Sequence, residues 1–257
     1  MKKTIRISAV SYLNTKPFLY GIYKEGVDKF IDLSLDIPSS CAKKLIDDEV
    51  DIGLIPVASI PLLKSPYIIS DYCIGTKGAV KTVGIYSNCP IKHVTELLLD
   101  YQSKTSVELS RYLMQNYWEI NPEFINTSVG FENKIKGTTA GLMIGDRTIG
   151  LDQRFPFFYD LGEIWNAHTG LPFVFALWVS NKKLSDAFLS KFNSALKSGV
   201  NNLDQVAGLF QSCYPNFSIK EYYSKNIDYH MTEKKQQAMH LFLNYIGSKK
   251  LLFESIK

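Results

Sequence analysis

At 257 residues the chain is long enough for one large domain or two lobes around a sizeable core. Its 46% apolar and 21% charged residues exclude a disordered, collagen-like or coiled-coil chain. A net charge of +4, spread without a basic block, suits an anionic small ligand and argues against nucleic acid as a partner.

The four cysteines, Cys41, Cys73, Cys89 and Cys213, form no Cys-x-x-Cys pair, so buried reduced thiols are expected rather than disulfides or a zinc site. Met1-Lys-Lys-Thr-Ile opens like a signal peptide, but Arg6 and Ser8 interrupt it, and no apolar stretch of roughly 7–15 residues follows. Nothing approaches the ~20 apolar residues of a membrane helix. A cytoplasmic protein without membrane contact is expected.

Ile5 and Ile7 alternate with Arg6 and Ser8 as in a strand, and Pro17 suits the first turn of a helix carrying Phe18, Leu19 and Ile22. Asn14 or Thr15 sits where an N-cap is wanted, after a loop from Ala9 to Leu13. Such a strand–loop–helix turn is a ready site for a carboxylate or phosphate, because backbone N–H groups and the helix dipole face outward there. Ile31 to Ile37 reads as a second strand. Pro38-Ser-Ser40 leads a helix to about Asp48 with Cys41, Ala42, Leu45 and Ile46 inward, and Val50 to Pro56 is a short buried strand. This alternation predicts an α/β fold with a largely parallel sheet.

Tyr67 to Ile74 and Thr82 to Tyr86 are further strands, and Ser87-Asn-Cys-Pro90 follows the second. Leu97 to Leu99 precedes a helix in which Thr105 and Glu108 match the capping box and Leu109, Tyr112 and Leu113 face inward. That is a second anion cradle, lined by Ser103, Thr105 and Ser106. Ala140 to Asp146 is a buried strand ending in a polar turn, and Phe173 to Val179 is apolar on both faces, as in a central or crossing strand. From Ser185 onward the pattern is helical. The last helix is capped by Thr232, buries Ala238, Leu241, Phe242 and Tyr245, and ends at Gly247.

Five motifs in this order resemble one family: Ala9-Val-Ser-Tyr-Leu-Asn-Thr-Lys-Pro17, Asp51-Ile-Gly-Leu-Ile-Pro56, Ser103-Lys-Thr-Ser106, Ile144-Gly-Asp146, and Asp160-Leu-Gly-Glu-Ile-Trp165 with Thr169-Gly-Leu-Pro-Phe-Val-Phe175. It is the chorismate dehydratases of the futalosine route to menaquinone. The resemblance implies a two-lobed, periplasmic-binding-protein type II-like fold. Lobe 1 would be residues 1–84 and 178–257, lobe 2 residues 85–177, with hinges near Tyr86 and Val179. It implies loss of water from a small dianionic substrate, chorismate, with no metal or cofactor. Two other readings share the fold: 1,4-dihydroxy-6-naphthoate synthase of the same pathway, and a non-catalytic solute-binding protein.

By the same resemblance Asn14 and Ser87 are candidate catalytic residues. Ser11, Tyr12, Ser103, Thr105, Ser106, Asp146 and Gly170 are candidate substrate contacts. Each has a plainer reading. Asn14, Thr105 and Ser106 are natural helix caps, Ser87 and Asp146 natural turn residues, and Tyr12 and Phe173 cleft wall or core. Asp51 reads as structural. Lys16 and Arg147 are solvated cations by default, and His93, His168, His230 and His240 stand at no triad or ligand spacing. The matched turns offer no base other than Asp146. The substrate's own enolpyruvyl carboxylate is therefore a second candidate.

Overall fold

The computed structural model describes residues 4–247; Met1–Lys3 and the part of the expected first lobe beyond Gly247 lie outside the described residues. Ile7 and Ala9 are fully buried on β1 (Ile5–Val10), which pairs in parallel with β2 (Ile31–Asp36) on one side and β3 (Ile52–Pro56) on the other. The strand runs two residues further than expected, so the loop begins at Ser11. On β2, at the sheet edge, Leu35 is exposed. Helix α1 (Lys16–Lys24) follows a single 3-10 turn at Leu13–Thr15. Helix α2 (Pro38–Ile46) buries Cys41, Ala42 and Leu45, whereas Ile46, its last residue, faces solvent.

β4 (Tyr67–Thr76), β10 (Phe173–Ser180) and β11 (Asp228–His230) complete a six-stranded sheet in the order β11-β4-β10-β3-β1-β2. β10 is buried along its whole length and antiparallel to both neighbours, because the chain enters it on its return from the second sheet. That second sheet contains β5 (Val83–Ser87), β6 (Glu96–Leu99), β7 (Glu123–Asn126), β8 (Thr139–Ile144) and β9 (Phe157–Asp160), in the order β7-β6-β8-β5-β9. Here β5 is the antiparallel member. Both sheets are mixed rather than largely parallel.

The chain crosses between sheets at residues 77–82 and 170–172. β10 thus belongs to the first sheet from Phe173, ahead of the expected join at 177/178. Tyr86 and Val179, expected at hinges, are paired inside strands, Tyr86 with Gly141 and Val179 with Gly53. The first crossing segment is itself held, its Val80 and Lys81 N–H groups donating to the Asp160 carboxylate at 3.0 and 2.7 Å.

Helices α3 (Lys104–Asn116) and α4 (Leu161–Thr169) pack on the second sheet, and α5 (Asp186–Val200) and α6 (Leu203–Phe210) on the first. α1 lies hard against α5. A Cβ on Gly21 would stand 1.9 Å from the Ala195 carbonyl oxygen, and one on Gly199 would stand 1.8 Å from that of Pro17. No other residue allows this approach, which fixes where the N-terminus of α1 sits.

Past α5 the helical reading misses β11 and a π-helical turn at Tyr222–Asn226, which follows the single turn α7 (Ile219–Glu221). The last helix, α8 (Glu233–Tyr245), is capped by Thr232, whose hydroxyl accepts the Lys235 N–H. It buries Ala238, Met239, Phe242 and Leu243, so that Leu241 and Tyr245, expected inside, lie on its solvent side. Of the cysteines only Cys41 and Cys73 are buried; Cys89 is half-buried and Cys213 exposed, and all are free. Among the described residues no helix is long and apolar enough to cross a membrane, and no group of three His, Cys, Asp or Glu is placed to hold a metal.

Candidate functional site

The carboxyl ends of β1, β3 and β8 converge between the two sheets. Val10, Tyr12, Asn14 and Pro56 of the first lobe face Thr82, Val83, Ser103, Ser106, Ile144 and Gly145 across a narrow cavity of about 40 Å³. That is room for a few waters and smaller than a six-membered ring. Asp, Glu, His, Lys and Arg are absent from its lining. A wider groove of about 370 Å³ lies between loops 148–153 and 213–217, and none of the sequence's candidate residues lines it.

Asn14 is half-buried in the 3-10 turn, where its side-chain oxygen accepts the Thr15 hydroxyl at 3.3 Å. Neither residue caps α1 through its side chain, so the capping expectation fails for both. The turn is fastened from beneath by tyrosines. Tyr223 donates to the Leu13 carbonyl at 2.9 Å, and Tyr229 donates to the Asn14 carbonyl at 3.0 Å. Tyr222 shares a hydrogen bond of 2.9 Å with Thr82.

Opposite Asn14 stands the N-terminus of α3. Its cap is Ser103, which accepts the Ser106 N–H at 3.2 Å and donates to the Ser106 hydroxyl at 3.1 Å. The capping box expected at Thr105 starts two residues too late. Thr105 is fully buried and turned from the cavity, its hydroxyl accepting the Ala58 N–H at 3.1 Å.

Three further contacts join the lobes at this point. The Leu13 N–H is accepted by both Asp146 oxygens at 2.9 Å, the Ser39 N–H by the Gln102 carbonyl at 3.0 Å, and the Tyr12 hydroxyl by the Gln102 side chain. Burial and the nearby Asp100 charge push the Tyr12 phenol above its usual range, so it stays a donor. Burial also raises the Asp146 carboxyl, against the pull of the Leu13 N–H and the Lys16 charge. Asp146 is therefore bound to the site's backbone rather than open to the cavity. Arg147 is likewise committed, to Asp100 and to Glu132 at 2.7 Å.

Besides Thr105 and Asp146, three further candidates fall outside the cavity lining. Ser87 ends β5, whose first residue, Val83, is the one at the cleft; the antiparallel direction carries Ser87 about 13 Å away at ~3.3 Å per residue. There its hydroxyl donates to the Cys89 carbonyl at 2.8 Å in a local turn. Ser11 alternates away from Val10 and Tyr12, its N–H held by the Asp36 carbonyl. Gly170 closes α4 with φ +69°, the left-handed turn that favours glycine. Thr82, Tyr222, Tyr223 and Tyr229 went unnoticed in the sequence, since only tertiary packing brings them to the site.

A family model described as menaquinone biosynthesis matches residues 5–248. The chorismate dehydratase of Thermus thermophilus is 25% identical over 261 aligned positions, covering 92% of this chain and 93% of that one. A solved protein of Archaeoglobus fulgidus superposes with a TM-score of 0.73 at 14% identity, over 95% of this chain and 98% of that one. The periplasmic aliphatic sulphonate binding protein SsuA of Escherichia coli superposes with a TM-score of 0.56 at 14% identity, over 97% and 95%. What these two share with the chain is the two-lobed fold of binding proteins.

Proposed function

Because the chain belongs to the menaquinone biosynthesis family, we propose that it eliminates water from chorismate to give 3-[(1-carboxyvinyl)oxy]benzoate, acting as a carbon–oxygen lyase. The observation that carries this reading is the meeting of Asn14 on one lobe with Ser103 and Ser106 on the other, in a cavity lined without ionised side chains. The lining is uncharged and mostly apolar, so the carboxylates of a dianion must be met by its few polar groups, Tyr12, Asn14, Thr82, Ser103 and Ser106. The first turn of α3 reaches the cavity at Ser103 and Ser106 and turns the positive end of its dipole toward a carboxylate, whereas the Ser39 and Ser40 N–H groups of α2 are already bonded to the Gln102 and Ile37 carbonyls.

The C3 proton is conjugated through C1=C2 with the ring carboxylate, so its removal sends charge toward that carboxylate. Loss of the C4 hydroxyl as water then makes the ring aromatic. Closure of the lobes excludes solvent while this charge develops. For the base, Asp146 is a poor fit, since its oxygens already hold the Leu13 N–H. The enolpyruvyl carboxylate is tethered to C3, and a well-oriented tethered group is worth about 7–11 kcal/mol over a free encounter. The reading therefore gives the substrate its own base, with Asn14 and the serine hydroxyls holding the bent pose.

Purified protein incubated with chorismate should yield an aromatic product lighter by one water. A protein that only binds chorismate, or acts only on a later naphthoate precursor, leaves it unchanged and overturns the reading. For the base, an analogue with the enolpyruvyl carboxylate turned into an amide should bind and not react; reaction at nearly the normal rate would return the role to a protein group.

A further inference from the structure

The side chain of Asn14 leaves its Cα in a direction set by the two peptide planes that flank it, because each peptide is planar and only φ and ψ lie between them. A tyrosine hydroxyl pins each of these planes. Tyr223 donates to the Leu13 carbonyl at 2.9 Å on one side of Asn14, and Tyr229 donates to the Asn14 carbonyl at 3.0 Å on the other. The second plane is also held at its nitrogen, where the Thr15 N–H donates to the Tyr12 carbonyl at 3.1 Å. The amide's own contact with the Thr15 hydroxyl, at 3.3 Å, is long for an O–H···O bond and holds it weakly.

Both tyrosines are firmly set. Each is buried, and burial pushes both phenols above their usual range, so both remain donors. Tyr229 meets Phe18 of α1 edge-on, with ring centroids 5.3 Å apart. The carbonyls on either side of Tyr229, those of Asp228 and His230, both accept from the Lys235 ammonium, the second at 2.8 Å. Lys235 is fully buried on α8, with its ammonium 3.3 Å from the Asp228 carboxylate. Gly75 leaves it room, since a Cβ there would stand 3.0 Å from Nζ. A buried ammonium is costly, and well-packed apolar groups in its place are often no less stable. This one clamps the backbone on both sides of the tyrosine that holds Asn14.

We propose that Tyr223 and Tyr229 are positioning residues of the reaction: their hydroxyls fix the two peptide planes around Asn14 and thereby aim its amide at the substrate. The inference rests on the dehydratase reading above and adds to it two residues that do not line the cavity.

The test uses Tyr223→Phe and Tyr229→Phe, which keep the buried rings and remove only the hydroxyls. With chorismate, each should lower kcat about tenfold, the scale of one hydrogen bond, with KM within about twofold, since neither residue touches the substrate. A second readout needs no substrate. In protein whose asparagine side chains are isotope-labelled for NMR, the Asn14 amide resonance is identified by its loss in Asn14→Ala. That resonance should shift or broaden in both Phe variants. A hydroxyl that merely stabilises the fold would lower the melting temperature and leave the resonance in place. If wild-type protein turns over chorismate and either Phe variant keeps its kcat, or loses kcat with the Asn14 resonance unmoved, the inference is overturned and the dehydratase reading stands. A wild type that leaves chorismate unchanged overturns both.

Discussion

Both carboxylate oxygens of Asp146 accept the backbone N–H of Leu13 at 2.9 Å, although the two residues belong to different lobes and lie 133 positions apart. The bond lands between Tyr12 and Asn14, so the loop after β8 holds the turn that carries the site. Removing this acceptor with Asp146→Ala frees a charge-assisted bond worth about 1.5–3 kcal/mol, and kcat/KM for chorismate should fall about 10- to 100-fold. Asp146→Asn keeps an acceptor and should recover most of the loss. A proton-abstracting Asp146 would instead be lost as completely in the Asn variant as in the Ala variant, which steady-state kinetics on the pair will decide.

The sequence carries β1, β3, β8 and β10 clearly, because their apolar runs are bounded by Pro, Gly or charged residues. It also carries the turn holding Asn14, because a polar loop before Pro17 marks the entry of a helix. What it does not carry is strand direction. Ser87 looks like a residue at a strand's carboxyl end facing a cleft, and only the antiparallel pairing of β5 with β8 shows that this end points away. Thr105 and Ser103 are two residues apart in one polar run, and which one caps α3 depends on the Ala58 N–H claiming Thr105 from another lobe. The tyrosines under Asn14 lie more than 200 residues from it.

Gly145 is a point of close approach. It has φ +77°, and a Cβ there would meet the Tyr12 ring at 2.6–2.9 Å. Gly145→Ala should therefore push Tyr12 off Gln102 and strain the backbone, costing about 1–3 kcal/mol of stability. Adding Tyr12→Ala removes the clash and leaves the strain, so the double variant should be less destabilised than the sum of the two. Additive losses of melting temperature would show that the ring and the glycine do not depend on each other.

Asp51 is buried and pairs with Arg6 at 3.1 Å and with Lys182. Burial alone would raise its carboxyl, but hydrogen bonds from Arg6 and Lys182 and the lysine charge outweigh it and hold it well below the usual carboxylate range. A folded-state pKa lower than the unfolded one contributes stability above the unfolded value of about 4. That contribution fades as pH falls through the folded value. Asp51→Asn should therefore destabilise the protein at neutral pH, on the order of 1–3 kcal/mol, and the difference from wild type should shrink below about pH 4. Denaturant titrations at pH 7 and pH 3.5 measure it; a pH-independent difference would count against the ion pairs as its source.

Asn14→Asp replaces an amide by a charge of nearly the same shape beside a dianion. Like charges brought together in a closed cleft cost several kcal/mol, so kcat/KM should fall more than about 100-fold. The melting temperature should stay within a few degrees, since Asn14 is half-buried and caps no helix. Activity near wild type would leave Asn14 a turn residue only.

Ser106 and Thr105 are neighbours on the first turn of α3 with opposite duties. Ser106 lines the cavity, and its hydroxyl already accepts from Ser103 at 3.1 Å, so its own proton is free for a substrate carboxylate. Ser106→Ala removes that donor without stranding a buried partner that lacks an alternative. Chorismate affinity should fall about tenfold, the scale of one hydrogen bond to a charged group, with little change in melting temperature. Thr105→Val keeps the shape and leaves the buried Ala58 N–H without its acceptor. That costs about 1–3 kcal/mol, or roughly 2–12 °C in a chain of this size at ~2–4 °C per kcal/mol. Affinity should stay within about twofold, because Thr105 does not line the cavity. Calorimetric binding and melting curves on the two variants give a crossed pattern if the assignment holds. Equal losses of stability with unchanged affinity would reduce both residues to supports of the helix end, and would shift the carboxylate contact to the backbone N–H groups of the same turn.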